Sequence, residues 1–215
     1  GGASALRKKT RLGEGATLTE VTEEIAKAWG LKIAVRPMTN DRVRTNVRLL
    51  DNGDLIPFQE YFVKHRHSVA VSEVVIDGIK SAKFACADVI EGARAVIIAP
   101  SNPIVSIGPI RALAGVDEML ASRRDSVVAI SPIIGGAALK GPADRMLAEL
   151  GMESSVVGVA KLYAPICGTL VIDHADAELQ DAVRAEGMQC VITDTIMGKP
   201  DTDTALARIT LEAIK

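Results

Sequence analysis

The sequence predicts an α/β protein: a Rossmann-like parallel sheet with helices on both faces, plus a small irregular α+β segment that contains a β-hairpin. From residue 71 onward, apolar runs alternate with helical patterns, which is typical of a parallel sheet. Before residue 71, extended runs flank an Asn-Gly pair, which predicts a hairpin. We therefore divide the chain into residues 1–70, a helix and hairpin packed on the core within the same domain, and residues 71–215, the α/β core.

Length and composition exclude several classes of protein. The chain has 215 residues, 48% of them hydrophobic, which is enough for a large core. A formal charge of −2 and an aromatic content of 3% argue against a nucleic-acid surface. We find no apolar run as long as a membrane span and no signal-peptide core. Cys86, Cys167 and Cys190 are isolated in apolar surroundings, so we interpret them as reduced core thiols of a cytoplasmic protein.

The first 70 residues predict one helix, one strand and the hairpin. Residues 17–20 have the pattern of a capping box, and apolar side chains then recur at helical spacing as far as Trp29. A strand is expected at residues 31–35. The hairpin strands are expected at residues 43–50 and 55–58, on either side of the Asn-Gly turn.

An aromatic cluster follows the hairpin. Phe58, Tyr61 and Phe62 bring together half of the six aromatic side chains. Such clusters usually fill a core, but Phe58 and Phe62 could instead form the wall of a pocket for a flat ligand. His65 and His67 come next, and their spacing without a nearby carboxylate or cysteine indicates a solvated basic turn rather than a metal site.

Beyond residue 71, strands and helices are expected in alternation. The strands are predicted at residues 74–76, 95–99, 127–130, 170–173 and 190–193. The helices are predicted at residues 84–91, 110–121, 142–150, 155–164, 175–186 and 201–214.

The loop after the second of these strands carries the strongest functional signal. A β-branched apolar run stops at Pro100, and short polar side chains, a glycine and two further prolines follow. In an open α/β sheet, ligands bind outside the carboxyl ends of the strands, where backbone amides and hydroxyl groups can meet an anion. The prolines stiffen the loop and shape it in advance for a ligand. The alternative is an ordinary strand-to-helix connection.

The next strand ends in a glycine-rich loop, which contains Gly135 and Gly136, then Lys140, then Pro142 at the expected helix start. Paired glycines let backbone amides approach a phosphate, and Lys140 adds a full positive charge. Neither GxxxxGK[ST] nor GxGxxG occurs, so this is neither a Walker loop nor a dinucleotide fingerprint. A glycine-rich connection with a solvated lysine explains the pattern equally well.

The last predicted strand ends with Asp194 between Thr193 and Thr195. This carboxylate is either a site group or the cap of the following helix. No nucleophilic triad can be assembled, because His174 lies where a strand enters a helix, and neither GxSxG nor HExxH occurs. The loops instead offer the positioning of a polyanion, as phosphoryl-type transfer requires.

These motifs resemble those of the 2-phospho-L-lactate transferases of coenzyme F420 biosynthesis. The matching stretches are GATLT (15–19), FQEYF (58–62), PSNPIVSIGPI (100–110), VAISPIIGG (128–136), KGPAD (140–144) and TDTIM (193–197). The resemblance implies transfer of a phospholactyl group, or of phosphoenolpyruvyl in bacterial relatives, from a guanosine-diphosphate-activated donor to the deazaflavin Fo. It implies GMP and F420-0, or its dehydro form, as products, with Mg²⁺ assisting. We also expect a homodimer.

The loops and the resemblance together give a set of candidate site residues. The expected nucleotide and phosphate contacts are Ser101, Asn102, Pro103, Ser106, Ile107, Gly108, Gly135 and Gly136. The expected Fo-binding residues are Phe58, Phe62 and Ser131. The expected catalytic residues are Asp194 and Lys140, and the metal ligands are not assigned.

The sequence departs from the family at its front. Members open with a glycine-rich strand-loop-helix and a metal-binding aspartate, for which we find no counterpart here. We therefore expect weak binding of guanine nucleotide and slow or no turnover of Fo unless a front segment is supplied. The alternative is a catalytically inactive, nucleotide-binding regulatory relative of the same fold, but the Ser-Asn-Pro and Ser-Ile-Gly-Pro pieces favour the transferase.

Overall fold

The computed structural model describes residues 9–66, 68–139 and 141–214. Its first long helix, α1, spans Leu18–Ala28 and begins with the predicted capping box. The Thr17 hydroxyl accepts from the amide of Glu20 at 3.2 Å, and the Glu20 carboxylate accepts from the amide of Thr17 at 2.7 Å. Two amide groups at the helix start are thereby satisfied, which confirms the predicted start.

The strand predicted at residues 31–35 is wrong. The segment has no strand conformation, and none of the described strands pairs with it. Its apolar side chains point to solvent, and that of Ile33 is 70% exposed. Alternating apolar residues favour an extended chain, but a strand also needs a hydrogen-bonded neighbour.

An antiparallel sheet forms the first half of the protein. Its strands, in the order β2-β1-β3, are β1 (Arg44–Leu49), β2 (Leu55–Pro57) and β3 (Val71–Asp77), and helix α2 (Phe58–Val63) follows β2. The predicted hairpin is confirmed. The strand predicted at residues 74–76 was expected in the parallel sheet and is instead part of β3, with Val74 opposite Val47. The pattern of one strand does not reveal its partner.

The core under this sheet contains residues from both predicted parts of the chain. Val47, Tyr61 and Val71 are fully buried, and they pack with Val105 and Met146 from the second part. The division at residue 70 stays a prediction.

The parallel sheet forms the second half, and its strands lie in chain order. They are β4 (Val96–Ile98), β5 (Val127–Ile130), β8 (Thr169–Asp173) and β9 (Gln189–Thr193). A two-stranded hairpin, β6 (Ile133–Ile134) and β7 (Ala137–Ala138), lies between β5 and β8 in sequence. All residues of β5 and β8 are buried, as expected for strands covered on both faces.

Helices cover both faces of the parallel sheet, as predicted. They are α3 (Ala87–Gly92), α4 (Gly108–Arg111), α5 (Val116–Ser122), α6 (Ala143–Glu149), α7 (Val156–Tyr163), α8 (Gln180–Ala185) and α9 (Pro200–Glu212). Leu206 of α9 packs on Val128 and Val171 from one face, while Leu170 belongs to the larger core on the other. Within the described residues, no helix combines the length and apolar character that crossing a bilayer requires.

Two predicted helices are divided. The helix expected at residues 110–121 becomes α4 and α5, because Gly115 has a φ of 85° and interrupts it. The helix expected at residues 175–186 starts as the 3₁₀ turn His174–Leu179 before α8. Shorter turns are the 3₁₀ turns Ile79–Ser81 and Arg124–Ser126 and the π-helical turn Pro103–Ile107.

The three cysteines are free thiols, as predicted. Cys167 and Cys190 are buried, and burial raises the pKa of each thiol to about 11. Thiols with so high a pKa are poor nucleophiles and poor metal ligands at neutral pH.

Candidate active site

A cleft of about 190 Å³, which we name the strand-end cleft, opens where the loops after β4, β5 and β9 meet. These loops follow the carboxyl ends of the parallel strands, which is where ligands bind in such sheets. The cleft is lined by Pro100, Asn102, Ser131, Pro132, Ile134, Leu139, Ala143, Thr195 and Met197. Six of these nine residues are apolar, and Asn102, Ser131 and Thr195 are polar.

The loop after β4 is held by its own side chain. The amide oxygen of Asn102 accepts from the backbone amides of Ile104 at 2.8 Å and Val105 at 3.2 Å. The amide nitrogen of Asn102 lies 3.7 Å from the sulfur of Met146. Asn102 thus caps the π-helical turn, so that the loop has a fixed shape before any ligand arrives.

The loop after β5 is held in the same local way and then forms the hairpin. The buried Ser131 hydroxyl accepts from the amide of Ile133 at 3.1 Å and donates to its carbonyl at 3.0 Å. Gly135 and Gly136 form the two-residue turn with φ of 58° and 78°. Positive φ at both positions matches the turn that hairpins favour and explains the paired glycines.

Two buried aspartates hold these loops from a distance. Asp176 accepts from the amide of Gly135 at 2.9 Å. Asp173, at the end of β8, accepts from the amide of Ala175 at 3.0 Å, and from the amide and hydroxyl of Thr195 at 2.9 and 3.0 Å. One short segment therefore holds both the hairpin and Thr195, and both contribute to the lining of the cleft.

The two aspartates differ in their ionisation. Burial would raise the pKa of Asp173, but the donors from Ala175 and Thr195 outweigh burial and hold the pKa below its ordinary value. Burial raises the pKa of Asp176; the Gly135 amide opposes that shift and the nearby charge of Asp173 adds to it. The site thus favours the charged form of Asp173 and disfavours that of Asp176.

A more open recess of about 370 Å³, which we name the side recess, adjoins the cleft at Met197. It is lined by Asp173, Asp194, Ile196, Met197, Gly198, Lys199 and Thr202. Asp194 is exposed and Lys199 stands across the same space. Among the described residues, the recess offers the carboxylate of Asp194 and the cation of Lys199 to a charged ligand.

The structure brings together only some of the predicted site residues. Asn102 and Ser131 line the strand-end cleft, and Asp194 lines the side recess. The other predicted residues of the loop after β4 lie on its turn but are not among the residues that line the cleft: Ser101, Pro103, Ser106, Ile107 and Gly108. Lys140 and His67 lie outside the described residues.

The two predicted aromatic residues have different surroundings. Phe58 packs against the core of the antiparallel sheet, with its ring 6.0 Å from that of Tyr61. Phe62 is 41% exposed, and its ring edge lies 3.8 Å from where a side chain on Gly141 would begin. Phe62 thus stands beside the end of the glycine-rich loop, whereas Phe58 fills a core.

Sequence reasoning missed several residues of the site. Asp173 and Asp176 were not among the candidate residues, although two aspartates three residues apart at the end of a buried strand were a usable signal. Nothing in the sequence indicated that Ile134 and Leu139 line the cleft, because the sequence pattern of an apolar loop residue is the same whether it is buried in the core or lines a pocket. Within the described part of the chain, no group of three or more His, Cys, Asp or Glu residues is arranged for a metal ion.

Comparison with known proteins identifies the family. The family model for 2-phospho-L-lactate transferase CofD matches residues 2–210. The chain belongs to the 2-phospho-L-lactate transferase family. This family and its named members support a transferase of the phospholactate or phosphoenolpyruvate type.

Relatives from two groups of organisms are equally similar to this member of the family. A phosphoenolpyruvate transferase of Streptomyces griseus is 37% identical over 215 residues, which cover 98% of this chain and 68% of the relative. A 2-phospho-L-lactate transferase of Methanocaldococcus jannaschii is 37% identical over 214 residues, with 98% and 67% covered. The chain thus spans about two thirds of each relative's length.

Solved structures support the fold. A protein of Bacillus halodurans has a TM-score of 0.66 at 13% identity, with 96% of this chain and 70% of that one covered. A second structure, described as a member of the UPF0052 family from the same organism, has a TM-score of 0.64 at 13% identity, with 96% and 71% covered.

Proposed function

We propose that this protein transfers a phospholactyl or phosphoenolpyruvyl group from a guanosine-diphosphate-activated donor to the deazaflavin Fo. The hydroxyl oxygen of Fo would bond to the phosphorus of the transferred group as the bond from that phosphorus to GMP breaks. The hydroxyl proton is lost, and F420-0 or its dehydro form is released with GMP. A cytoplasmic homodimer remains part of this proposal. The observation that carries it is the strand-end cleft, built from the motifs that match the family.

The lining of the cleft suits the acceptor. Fo has a flat aromatic ring, and such ligands bind in apolar slots with a few placed polar groups. Leu139 and Met197 are 57% and 55% exposed, so both offer apolar surface to a ring at the mouth of the cleft. Phe62 would extend this surface beside Gly141, while Ser131 and Thr195 supply the polar side.

The donor needs groups that tolerate and balance negative charge. We assign its diphosphate to the turn after β4, where Ser101 and Ser106 provide hydroxyls, and to the side recess, where Lys199 provides a cation. Lys140 would add a second cation. Charge builds on the GMP that leaves, so cations near it lower the barrier.

Mg²⁺ fits the side recess in its ligand chemistry. It prefers oxygen ligands and usually takes one or two carboxylates, substrate phosphates and water. Asp194 is exposed and would hold the ion, whereas Asp173 already accepts three hydrogen bonds. When bound, the ion would neutralise charge on the diphosphate.

An assay with both donors tests the proposal. Purified protein, Fo and Mg²⁺ are mixed with either donor, and GMP and the F420-0 forms are measured by mass spectrometry. We expect both products in equal amounts, a loss of activity with EDTA, and a lower rate for Asp194→Asn than for the matched surface variant Asp181→Asn. GMP released without a phosphodiester product would contradict the transfer, and full activity in EDTA would contradict the role of Mg²⁺.

The aromatic residues provide a test of the acceptor slot. We expect Phe62→Ala to weaken Fo binding with a smaller fall in the free energy of unfolding than Phe58→Ala causes, because Phe62 is 41% exposed. Phe58→Ala should lower the free energy of unfolding by about 2 kcal/mol, since it removes core packing. Fo fluorescence and urea unfolding measure the two effects. Unchanged Fo affinity in Phe62→Ala would remove Phe62 from the slot.

A further inference from the structure

One short segment reaches both walls of the strand-end cleft. We name residues 173–176 the aspartate turn; they leave β8 and begin the 3₁₀ turn His174–Leu179. Asp173 binds Thr195, which is 22 residues away in sequence, and Asp176 binds Gly135, which is 41 residues away. Both aspartates are buried, at 7% and 3% exposure. The hydrogen bonds between Asp173 and Thr195 are buried, whereas the bond from Gly135 to Asp176 is buried at the carboxylate and exposed at Gly135.

The tip of the β6–β7 hairpin depends mainly on Asp176. Ile133 anchors the base of the hairpin in the core, but the cleft-lining Ile134 lies beyond that anchor. At the tip, the Ser154 hydroxyl reaches the Gly136 carbonyl only at 3.5 Å and at the exposed surface. The bond from Gly135 to Asp176 is shorter, at 2.9 Å, and its acceptor is buried.

We propose that Asp176 is a positioning residue that holds the hairpin at the aspartate turn and so sets the width of the acceptor slot between Ile134 and Met197. Asp176 is not among the described residues that line the cleft or the side recess, so it acts through Gly135 rather than by touching a substrate. Asp173 holds the loop after β9 through Thr195, which also lines the cleft. This inference rests on the proposed function, in which the slot receives Fo.

The role requires a hydrogen-bond acceptor at one place, and it does not require a negative charge. Asparagine keeps an oxygen at the same position and can accept from the Gly135 amide, whereas alanine leaves that amide without its acceptor. If Asp176 contributed only to stability, Asp176→Ala and Asp176→Asn would not differ in their affinity for Fo at an unchanged kcat.

The experiment compares Asp176→Ala, Asp176→Asn and the surface control Asp181→Ala in the purified protein. In Asp176→Ala, we expect faster hydrogen exchange at the Gly135 amide and unchanged exchange at Thr195. The Fo dissociation constant and the KM for Fo should rise about tenfold, the effect expected when a partly buried donor loses its only acceptor among the described residues. The kcat should stay within about twofold, because the transition-state contacts are untouched. Asp176→Asn and Asp181→Ala should match the wild type in all four measurements.

Two results would overturn the inference: wild-type exchange at Gly135 in Asp176→Ala, or Asp176→Asn as impaired as Asp176→Ala. If the alanine variant does not fold, Asp176→Glu takes its place, because it moves the carboxylate by one methylene and should raise the KM without changing the charge. A wild-type protein that does not bind Fo would contradict the proposed function. Amide exchange at Gly135 then decides by itself whether Asp176 holds the hairpin.

Discussion

The loop after β4 and the hairpin after β5 line the same cleft but are held in different ways. Asn102 holds the first loop through the amides two and three residues later. The tip of the hairpin is held by Asp176, 41 residues away in sequence. The first loop can therefore take its shape from its own sequence, whereas the position of the hairpin tip depends on a residue that follows β8. Contacts within a loop fix the shape of that loop, and contacts to residues distant in sequence fix its position.

Removing Asp173 should have the largest effect, because it breaks a distant contact and a local one together. Asp173→Ala leaves three donors from Ala175 and Thr195 without their acceptor in a buried site. We expect the free energy of unfolding to fall by about 3 kcal/mol. Urea unfolding measures it, with Asp181→Ala as the exposed control. A fall no larger than that of the control would show that the contacts to Thr195 do not hold this wall.

Removing the local cap should cost less. Asn102→Ala leaves the amides of Ile104 and Val105 without their acceptor at the start of the π-helical turn. We expect a loss of about 1.5 kcal/mol in the free energy of unfolding, as for other helix caps, and weaker binding of guanine nucleotide. Asn102→Asp keeps the acceptor and serves as the matched variant. Equal losses in both variants would mean that the cap is not what Asn102 contributes.

The two aspartates of the aspartate turn should contribute differently to stability as the pH falls. The folded-state pKa of Asp173 lies below its ordinary value of 3.8, so its stabilisation is present above pH 3.8 and is lost as the pH falls through the folded-state pKa. Asp173→Asn should therefore flatten the dependence of the unfolding free energy on pH below 3.8. Asp176 has the opposite effect on the pH dependence of stability. Its pKa is raised in the folded state, so folding favours its neutral form and its contribution to stability is lost as the pH rises through the folded-state pKa. Urea unfolding from pH 3 to 6 checks both; a steeper acid dependence in Asp173→Asn would reverse the assignment.

The smallest effect is expected at a buried hydroxyl that has neither a local nor a distant hydrogen-bond partner among the described residues. Tyr163 is fully buried, and among the described residues its hydroxyl has no hydrogen-bond partner. Tyr163→Phe should leave the free energy of unfolding unchanged or raise it by up to about 1 kcal/mol, because an unpaired hydroxyl costs desolvation. Thermal unfolding measures it. A clear loss of stability would show that the hydroxyl has a bound partner such as an ordered water.

The same distinction between local and distant contacts explains how far the sequence could predict the fold. The capping box at Thr17 and the Asn-Gly turn at Gly53 are complete within a few residues, and both were predicted correctly. The place of β3 depends on pairing with β1, and the segment at residues 31–35 depends on a neighbour that no described strand provides. A local sequence pattern therefore could not predict the pairing of β3 or the conformation of residues 31–35.

For the candidate site, the sequence predicted which loops meet but not what each side chain does there. Asn102 and Ser131 were predicted to touch a ligand; both line the cleft, yet their hydrogen bonds in the structure shape the loops that carry them. The residue types whose hydroxyl or amide groups cap turns are also the types that bind phosphate, so the sequence alone does not distinguish the two roles. Asp176 could not be assigned, because its partner Gly135 comes close only in the folded sheet.

The exposed segment at residues 31–35 has a consequence for how the protein behaves in concentrated solution. Leu31, Ile33 and Val35 are exposed and lie in a segment that pairs with no described strand, and exposed apolar side chains favour association between molecules. Lys32 lies within this run and Arg36 ends it, with Arg36 in ion pairs to Glu23 and Asp88. The charge of Lys32 within this apolar run disfavours association of the run with a second copy of the chain, as charged gatekeeper residues do.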